Sequence, residues 1–298
     1  MERAIRDICG FDIIYHRLRR NMSVLGLSPK TFESYGRHIA AISLHFGRTP
    51  LELSSDDVRE YLYELQNRSV TPSQTYFKHT VYSLRFLLKN EGLPYEHLLL
   101  PAIKRENKLP VVLSKEEVWR LIGASKYLKH RILISMIYGC GLRCFEVRNV
   151  RLCDLDFDRE RLHVVQGKGK KDRYVPLSQH MIRGLKTYIE AEKPQYWLFN
   201  GKPDVGTDNI YSQRAVQWVV KQSAKAAGIL KDVHVHTLRH TFATHLLEDG
   251  LDIVTVKDLM GHERIETTME YLHVVRSNPR RAFSPLDTLF EQCAKKQK

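Results

Sequence analysis

No stretch of this 298-residue chain is apolar enough to cross a membrane: its hydrophobic runs stay well short of the roughly 18 residues a spanning helix needs. Met1 to Gly10 is mixed and polar, so a secretory leader is not expected. Cysteine is scarce. Its five residues (Cys9, Cys140, Cys144, Cys153 and Cys293) are odd in number and follow neither zinc-site nor disulfide spacing. Cys140 and Cys144 stand four apart on a predicted helix, the spacing of core packing. Internal repeats and low-complexity tracts are absent as well. These absences exclude a helical membrane protein, a disulfide scaffold and a repeat solenoid, and leave a reducing cytoplasmic compartment as the default location.

Acidic residues are also in short supply, 34 against 47 Lys+Arg, for a net charge of +13. Such an excess points to a polyanionic partner, with nucleic acid the first candidate. Residues 1–100 are nearly balanced, with 13 basic and 11 acidic side chains, so the field concentrates on the remaining two-thirds. Some solvated surfaces are basic without binding anything, and motifs have to decide.

The first hundred residues read as short amphipathic helices. Ser28-Pro29 supplies a cap and a first-turn proline ahead of Tyr35, Ile39, Ile42 and Phe46, and Gly47 closes the segment. Ser55 precedes Val58, Tyr61, Leu62 and Leu65 on one face, and Thr71-Pro72-Ser73-Gln74 forms a capping box before Phe77, Val81, Leu84 and Leu88. Between Pro101 and Pro110 the polar run Lys104-Arg105-Glu106-Asn107-Lys108 reads as a linker, and Ser114-Lys115-Glu116-Glu117 opens a new helix. The expected organisation is a helical domain over 1–100, a linker over 101–113 and a second domain over 114–298. The second domain is mostly helical, with one β interruption. Leu155 to Val165 turns at Asp158-Arg159-Glu160, and Arg173-Tyr174-Val175-Pro176 follows a glycine- and lysine-rich hairpin that presents Lys168. The fold class is therefore mainly α with a small antiparallel β-sheet.

The chemistry gathers in the last third. His236 and Arg239 are three apart and share a helix face, whereas His240 points about 100° away from Arg239, a supporting position. Met260-Gly261-His262 follows, and Tyr271 lies nine residues after His262 in a segment with Thr267, Thr268 and Glu270. Tyrosine is a weak nucleophile near its ordinary pKa of about 10, and needs a base or positive charge beside it. Upstream, Tyr138-Gly139-Cys140-Gly141-Leu142-Arg143 places a guanidinium fork after a tight turn, with Glu146 three residues on to orient it. Lys168 can reach a scissile phosphate as a proton donor; Lys170 and Lys171 on the same hairpin are its competitors. Taken singly, Arg239 reads as a surface ion pair and Tyr271 as half-buried core. His234 and His245 read as structural. His236 and His240 have the i, i+4 spacing of a zinc helix, but no carboxylate follows in the required place and Arg239 would set a positive charge beside the metal. Neither a metal nor any other cofactor is expected.

Taken together, Arg143, Lys168, His236-x-x-Arg239, His262 and Tyr271 resemble the active site of the tyrosine recombinases, the phage-integrase family. Gly141-Leu142-Arg143, Gly167-Lys168-Gly169, His236-Thr237-Leu238-Arg239-His240 and Gly261-His262 match that family's local wording, and the helical first domain is similar to its core-binding domain. The resemblance implies an N-terminal all-α core-binding domain plus a C-terminal α+β catalytic domain that together clamp duplex DNA at specific recombination sites. It implies that Tyr271 forms a 3′-phosphotyrosyl link, that Arg143, Arg239 and His262 stabilise the phosphate oxygens, and that Lys168 protonates the departing 5′-oxygen. It also implies that His236 contacts the phosphate and assists proton movement at the tyrosine, with Glu146 and His240 in support. It further implies a homo-oligomer, a dimer on each site and a tetramer in the synapse. This would assemble through a C-terminal helix begun at Ser284-Pro285-Leu286-Asp287, although a helix packed on its own domain fits Leu286, Leu289 and Phe290 nearly as well. The early first helix leaves little room for an arm-binding domain, and the Lys168–His236 interval lacks the extra helix of integron integrases. A simple Xer-type or mobile-element enzyme is expected. A type IB topoisomerase, or a silent DNA-binding protein of the same fold, is the alternative.

Overall fold

The computed structural model describes residues 1–67, 74–103, 109–165, 172–201 and 209–272. The chain divides into two compact units, Met1–Glu106 and Asn107–Lys298. In the first, α1 (Glu2–Asp7), α2 (Phe11–Val24), α3 (Pro29–Phe46), α4 (Ser55–Asn67) and α5 (Gln74–Asn90) follow in order. Ser28 caps α3, its side chain accepting from the Thr31 amide, and Gly47 ends the helix at φ 66°. Ile39 of α3 packs with α1, α2 and Leu87, whereas Ile42, one turn on, packs with Val58, Tyr61, Leu84 and Leu88. α3 thus holds two small apolar clusters together. The capping box at 71–74 lies largely outside the described residues; α5 is described from Gln74 onward.

The second unit opens with α6 (Lys115–Gly123), where Ser114 and Glu117 form the reciprocal capping box. Leu113, just before it, is buried, donates its amide to Thr241 Oγ1 at 3.1 Å and accepts from His245 at 3.0 Å through its carbonyl. α7 (Leu128–Gly139) and α8 (Cys144–Arg148) lead into β1 (Leu155–Asp156), β2 (Arg161–Val164) and β3 (Arg173–Pro176). The three strands form an antiparallel sheet in that order, with Leu155 opposite Leu162, and Leu162 opposite Val175. Leu162, Val164 and Val175 face the core, the alternation a half-buried strand requires. The β2–β3 connection that carries Lys168 lies outside the described residues, as do residues 273–298 with the expected C-terminal helix.

Helices α9 (Gln179–Glu192), α10 (Gln213–Ala226), α11 (Val235–Glu248), α12 (Ile253–Met260) and α13 (Glu266–Met269) complete the unit. The largest core runs from Leu113 through α6, α7, the sheet and α9 to Leu238 of α11. A smaller cluster of Phe242, Ala243, Val256, Met260 and Tyr271 joins α11 to α12 and to the segment that follows α13. The fold is thus mostly helical with one small sheet, as its residue pattern implies. Among the described residues no helix is long and apolar enough to cross a membrane.

Candidate active site

The second unit brings Arg143, Glu146, Arg239, His262 and Tyr271 together. At Gly141 the backbone turns with φ 59°, and a Cβ there would come within 2.4 Å of the Phe242 ring. That turn delivers Arg143 to the cap position of α8. Glu146, at the third position of α8, accepts the Arg143 amide at 2.8 Å and the Arg143 guanidinium at 2.7 Å. Arg239, on the buried face of α11, donates to the carbonyls of Gly141 and Met260 and lies 3.7 Å from Glu146 Oε2.

A third arginine joins them. Arg173 of β3 donates to both Glu146 oxygens, at 2.9 and 2.8 Å, and its Nε donates to the Leu259 carbonyl at 2.8 Å. Sequence reasoning did not single out Arg173, yet a signal was present. It stands two residues before buried Val175 on a strand and so shares the inward face, where a lone charge demands a partner.

Three consecutive carbonyls at the C-terminus of α12 therefore each hold one arginine: Leu259 takes Arg173, Met260 takes Arg239, and Gly261 takes Arg143 at 3.2 Å. The helix terminus leaves these oxygens without intrahelical donors and gives them partial negative charge, which suits cations. Three guanidiniums around one carboxylate leave the cluster net positive. Burial alone would raise the Glu146 pKa, but the Arg173 hydrogen bonds and charge, the Arg143 amide and the Arg239 charge outweigh it and bring the carboxylate down to about 2. Burial, with Arg143 nearby, lowers Arg239 to about 9, so it stays cationic at neutral pH.

Tyr271 is 3% exposed and sits on the Phe242–Met260 cluster. Its hydroxyl is 3.0 Å from His240 Nδ1, and the His262 ring lies nearly parallel to its own, at 15° and 6.2 Å between centroids. His262 is fixed in turn by a 2.9 Å hydrogen bond between Nδ1 and Thr268 Oγ1. His236 is exposed, with its ring 6.3 Å from that of His240. The tyrosine's direct partner is thus His240, although helical spacing alone sets His240 off to the side. Burial pushes Tyr271 up to about 12, so the phenol holds its proton at rest. Burial and the neighbouring His236 hold His240 near 4, and burial with Arg239 holds His262 near 3. His236, although it reaches solvent, is lowered too, first by the partial desolvation its neighbours impose and then by His234. With its imidazoles neutral and its arginines cationic, the cluster is set to receive an anion at neutral pH.

His234 caps α11 by accepting from the Thr237 amide at 3.1 Å, and His245 bridges the Tyr138 hydroxyl and the Leu113 carbonyl. Both have structural partners. Lys168 lies outside the described residues.

The model of the phage integrase family matches residues 111–277, more than half the chain, and that of the family's N-terminal SAM-like domain matches residues 14–90. The chain belongs to the phage integrase family. It is a site-specific recombinase of the tyrosine type. A tyrosine recombinase of Thermosipho africanus is 36% identical over 261 residues, covering 83% of this chain and 89% of that relative. Among solved structures, the XerA recombinase is similar at 25% identity and a TM-score of 0.53, over 92% of this chain and all of that one. XerH bound to a palindromic difH substrate after cleavage shares the fold at 21% identity and a TM-score of 0.65, over 82% of this chain and 76% of XerH.

Proposed function

We propose that this recombinase cuts and rejoins double-stranded DNA at specific sites with Tyr271 as nucleophile. The observation that carries the reading is a buried tyrosine hydroxyl, paired with a neutral histidine, beside arginines gathered on one carboxylate. The Tyr271 oxygen attacks the scissile phosphorus as the bond to the 5′-oxygen breaks, leaving a 3′-phosphotyrosyl link. His240 accepts the phenol proton, with His236 assisting at the phosphate. Arg143, Arg239 and His262 stabilise the charge that builds on the nonbridging oxygens. Lys168 gives a proton to the departing 5′-oxygen. A 5′-hydroxyl of a partner strand then attacks the phosphotyrosyl phosphorus, and the phenol recovers its proton. One phosphodiester is exchanged for another, so neither ATP hydrolysis nor a metal-bound water enters the balance.

The helical unit at 1–100 is proposed to bind the DNA core and 114–298 to carry the chemistry, with a dimer on each site and a tetramer in the synapse. The C-terminal segment with Leu286, Leu289 and Phe290 would join the protomers. The enzyme is proposed to act in the cytoplasm.

The test uses a pool of nicked duplexes with a randomised centre, from which covalently captured strands are recovered and sequenced. A 3′-linked adduct on denaturing gels is expected. Arg143→Ala and Arg239→Ala should bind the recovered duplex yet cleave it roughly 10²–10⁴-fold more slowly. Efficient relaxation of supercoiled plasmid without such a site would favour the topoisomerase reading. DNA binding with no adduct would favour the silent one.

A further inference from the structure

We infer that Arg173 is a positioning residue for strand transfer, holding Glu146 and the α12 terminus so that Arg143 and Arg239 meet the phosphate in one fixed geometry. The inference rests on the function proposed above. Arg173 is poorly placed to touch DNA itself. Its side chain is 9% exposed and all three of its guanidinium nitrogens are engaged, Nη1 and Nη2 on Glu146 and Nε on Leu259. Those engagements join three separate segments. Glu146 belongs to the α8 turn that carries Arg143, Leu259 belongs to the α12 end that leads to His262, and Arg173 itself lies on β3.

The turn at Gly261 shows how close the fit is. Gly261 has φ 59°, and a Cβ there would come within 3.1 Å of Arg173 Cδ and Nη1. The Arg173 side chain therefore lies flat beneath the Gly261-His262 turn. Glu146, freed of Arg173, would keep its hydrogen bonds to Arg143 but lose the bidentate clamp that fixes its carboxylate plane. Arg239, 3.7 Å from the same carboxylate, would lose its reference as well. Lysine cannot replace this fork, because a single ammonium cannot span two carboxylate oxygens and a carbonyl.

The test is single-turnover adduct formation on a captured nicked duplex at saturating protein, with DNA affinity and melting temperature measured alongside. Arg173→Lys should slow adduct formation by about 10²-fold, the loss expected when reacting groups are slightly misplaced. Its DNA affinity should stay within a few-fold of the parent. In a Glu146→Gln background the same change should add little, since Arg173 acts through that carboxylate. Three results would overturn the inference: parental cleavage by Arg173→Lys, losses that multiply in the double variant, or a defect that vanishes on cooling to where the variant is fully folded. Absence of any adduct from the parent would instead sink the function on which the inference rests.

Discussion

Glu146→Gln probes the cluster most quantitatively. The Glu146 carboxylate is held near 2 against an ordinary 4.5. At 1.36 kcal/mol per pKa unit, that depression corresponds to roughly 3 kcal/mol of stability linked to its ionisation. A depressed carboxylate stabilises the fold above the unfolded-state pKa of 4.5, and the stabilisation is lost as pH falls from there toward about 2. Gln keeps the shape but removes the charge, leaving three buried guanidiniums without their common counter-ion. The variant should therefore be about 3–5 kcal/mol less stable at neutral pH, the cost of breaking a buried ion pair from one side. The gap should narrow steadily as acid protonates the parent's Glu146. All three tryptophans, Trp119, Trp197 and Trp218, lie in the second unit, so urea unfolding followed by indole fluorescence reads that unit alone. The depressed histidines titrate in both proteins and cancel in the difference. Equal stability of parent and variant at neutral pH, or a gap that does not change with acid, would refute the reasoning.

Other outcomes follow from the same geometry. Gly141→Ala must place a Cβ against Phe242 in a left-handed backbone, which should cost about 2–4 kcal/mol in unfolding experiments and slow cleavage by shifting the carbonyl that holds Arg239. His240→Phe should slow adduct formation by roughly 10²-fold without weakening DNA binding. An unchanged rate would return the tyrosine's proton to His236. Duplex affinity, followed by fluorescence anisotropy, should fall steeply and linearly with the logarithm of salt as phosphate contacts release counterions. A shallow dependence would contradict a phosphate-gripping surface.

Much of the fold was legible because it is written locally. Ser28 and Ser114 announce helix starts, and the Asp158-Arg159-Glu160 turn between Leu155 and Val165 announces the pairing of β1 with β2. The i, i+3 spacings of Arg143 with Glu146 and of His236 with Arg239 place each pair on one side of its own helix. The rest depends on which segments meet in space, which spacing along one segment does not encode. Arg173 reaches Glu146 from a strand 27 residues away. His240 points away from Arg239 on α11, yet Tyr271 meets it from the segment that follows α13. The burial of Tyr271 likewise comes from Phe242 and Met260, residues of two other helices.

The central claim is that Tyr271 makes the covalent bond to DNA, and one measurement addresses it directly. The parent and Tyr271→Phe are incubated with the same captured nicked duplex, and any adduct is digested with protease and sequenced by mass spectrometry. The account predicts a deoxynucleotide on the peptide containing Tyr271 in the parent, and undiminished DNA binding with no adduct in the variant. An adduct that persists in Tyr271→Phe, or one mapped to another residue, would contradict it.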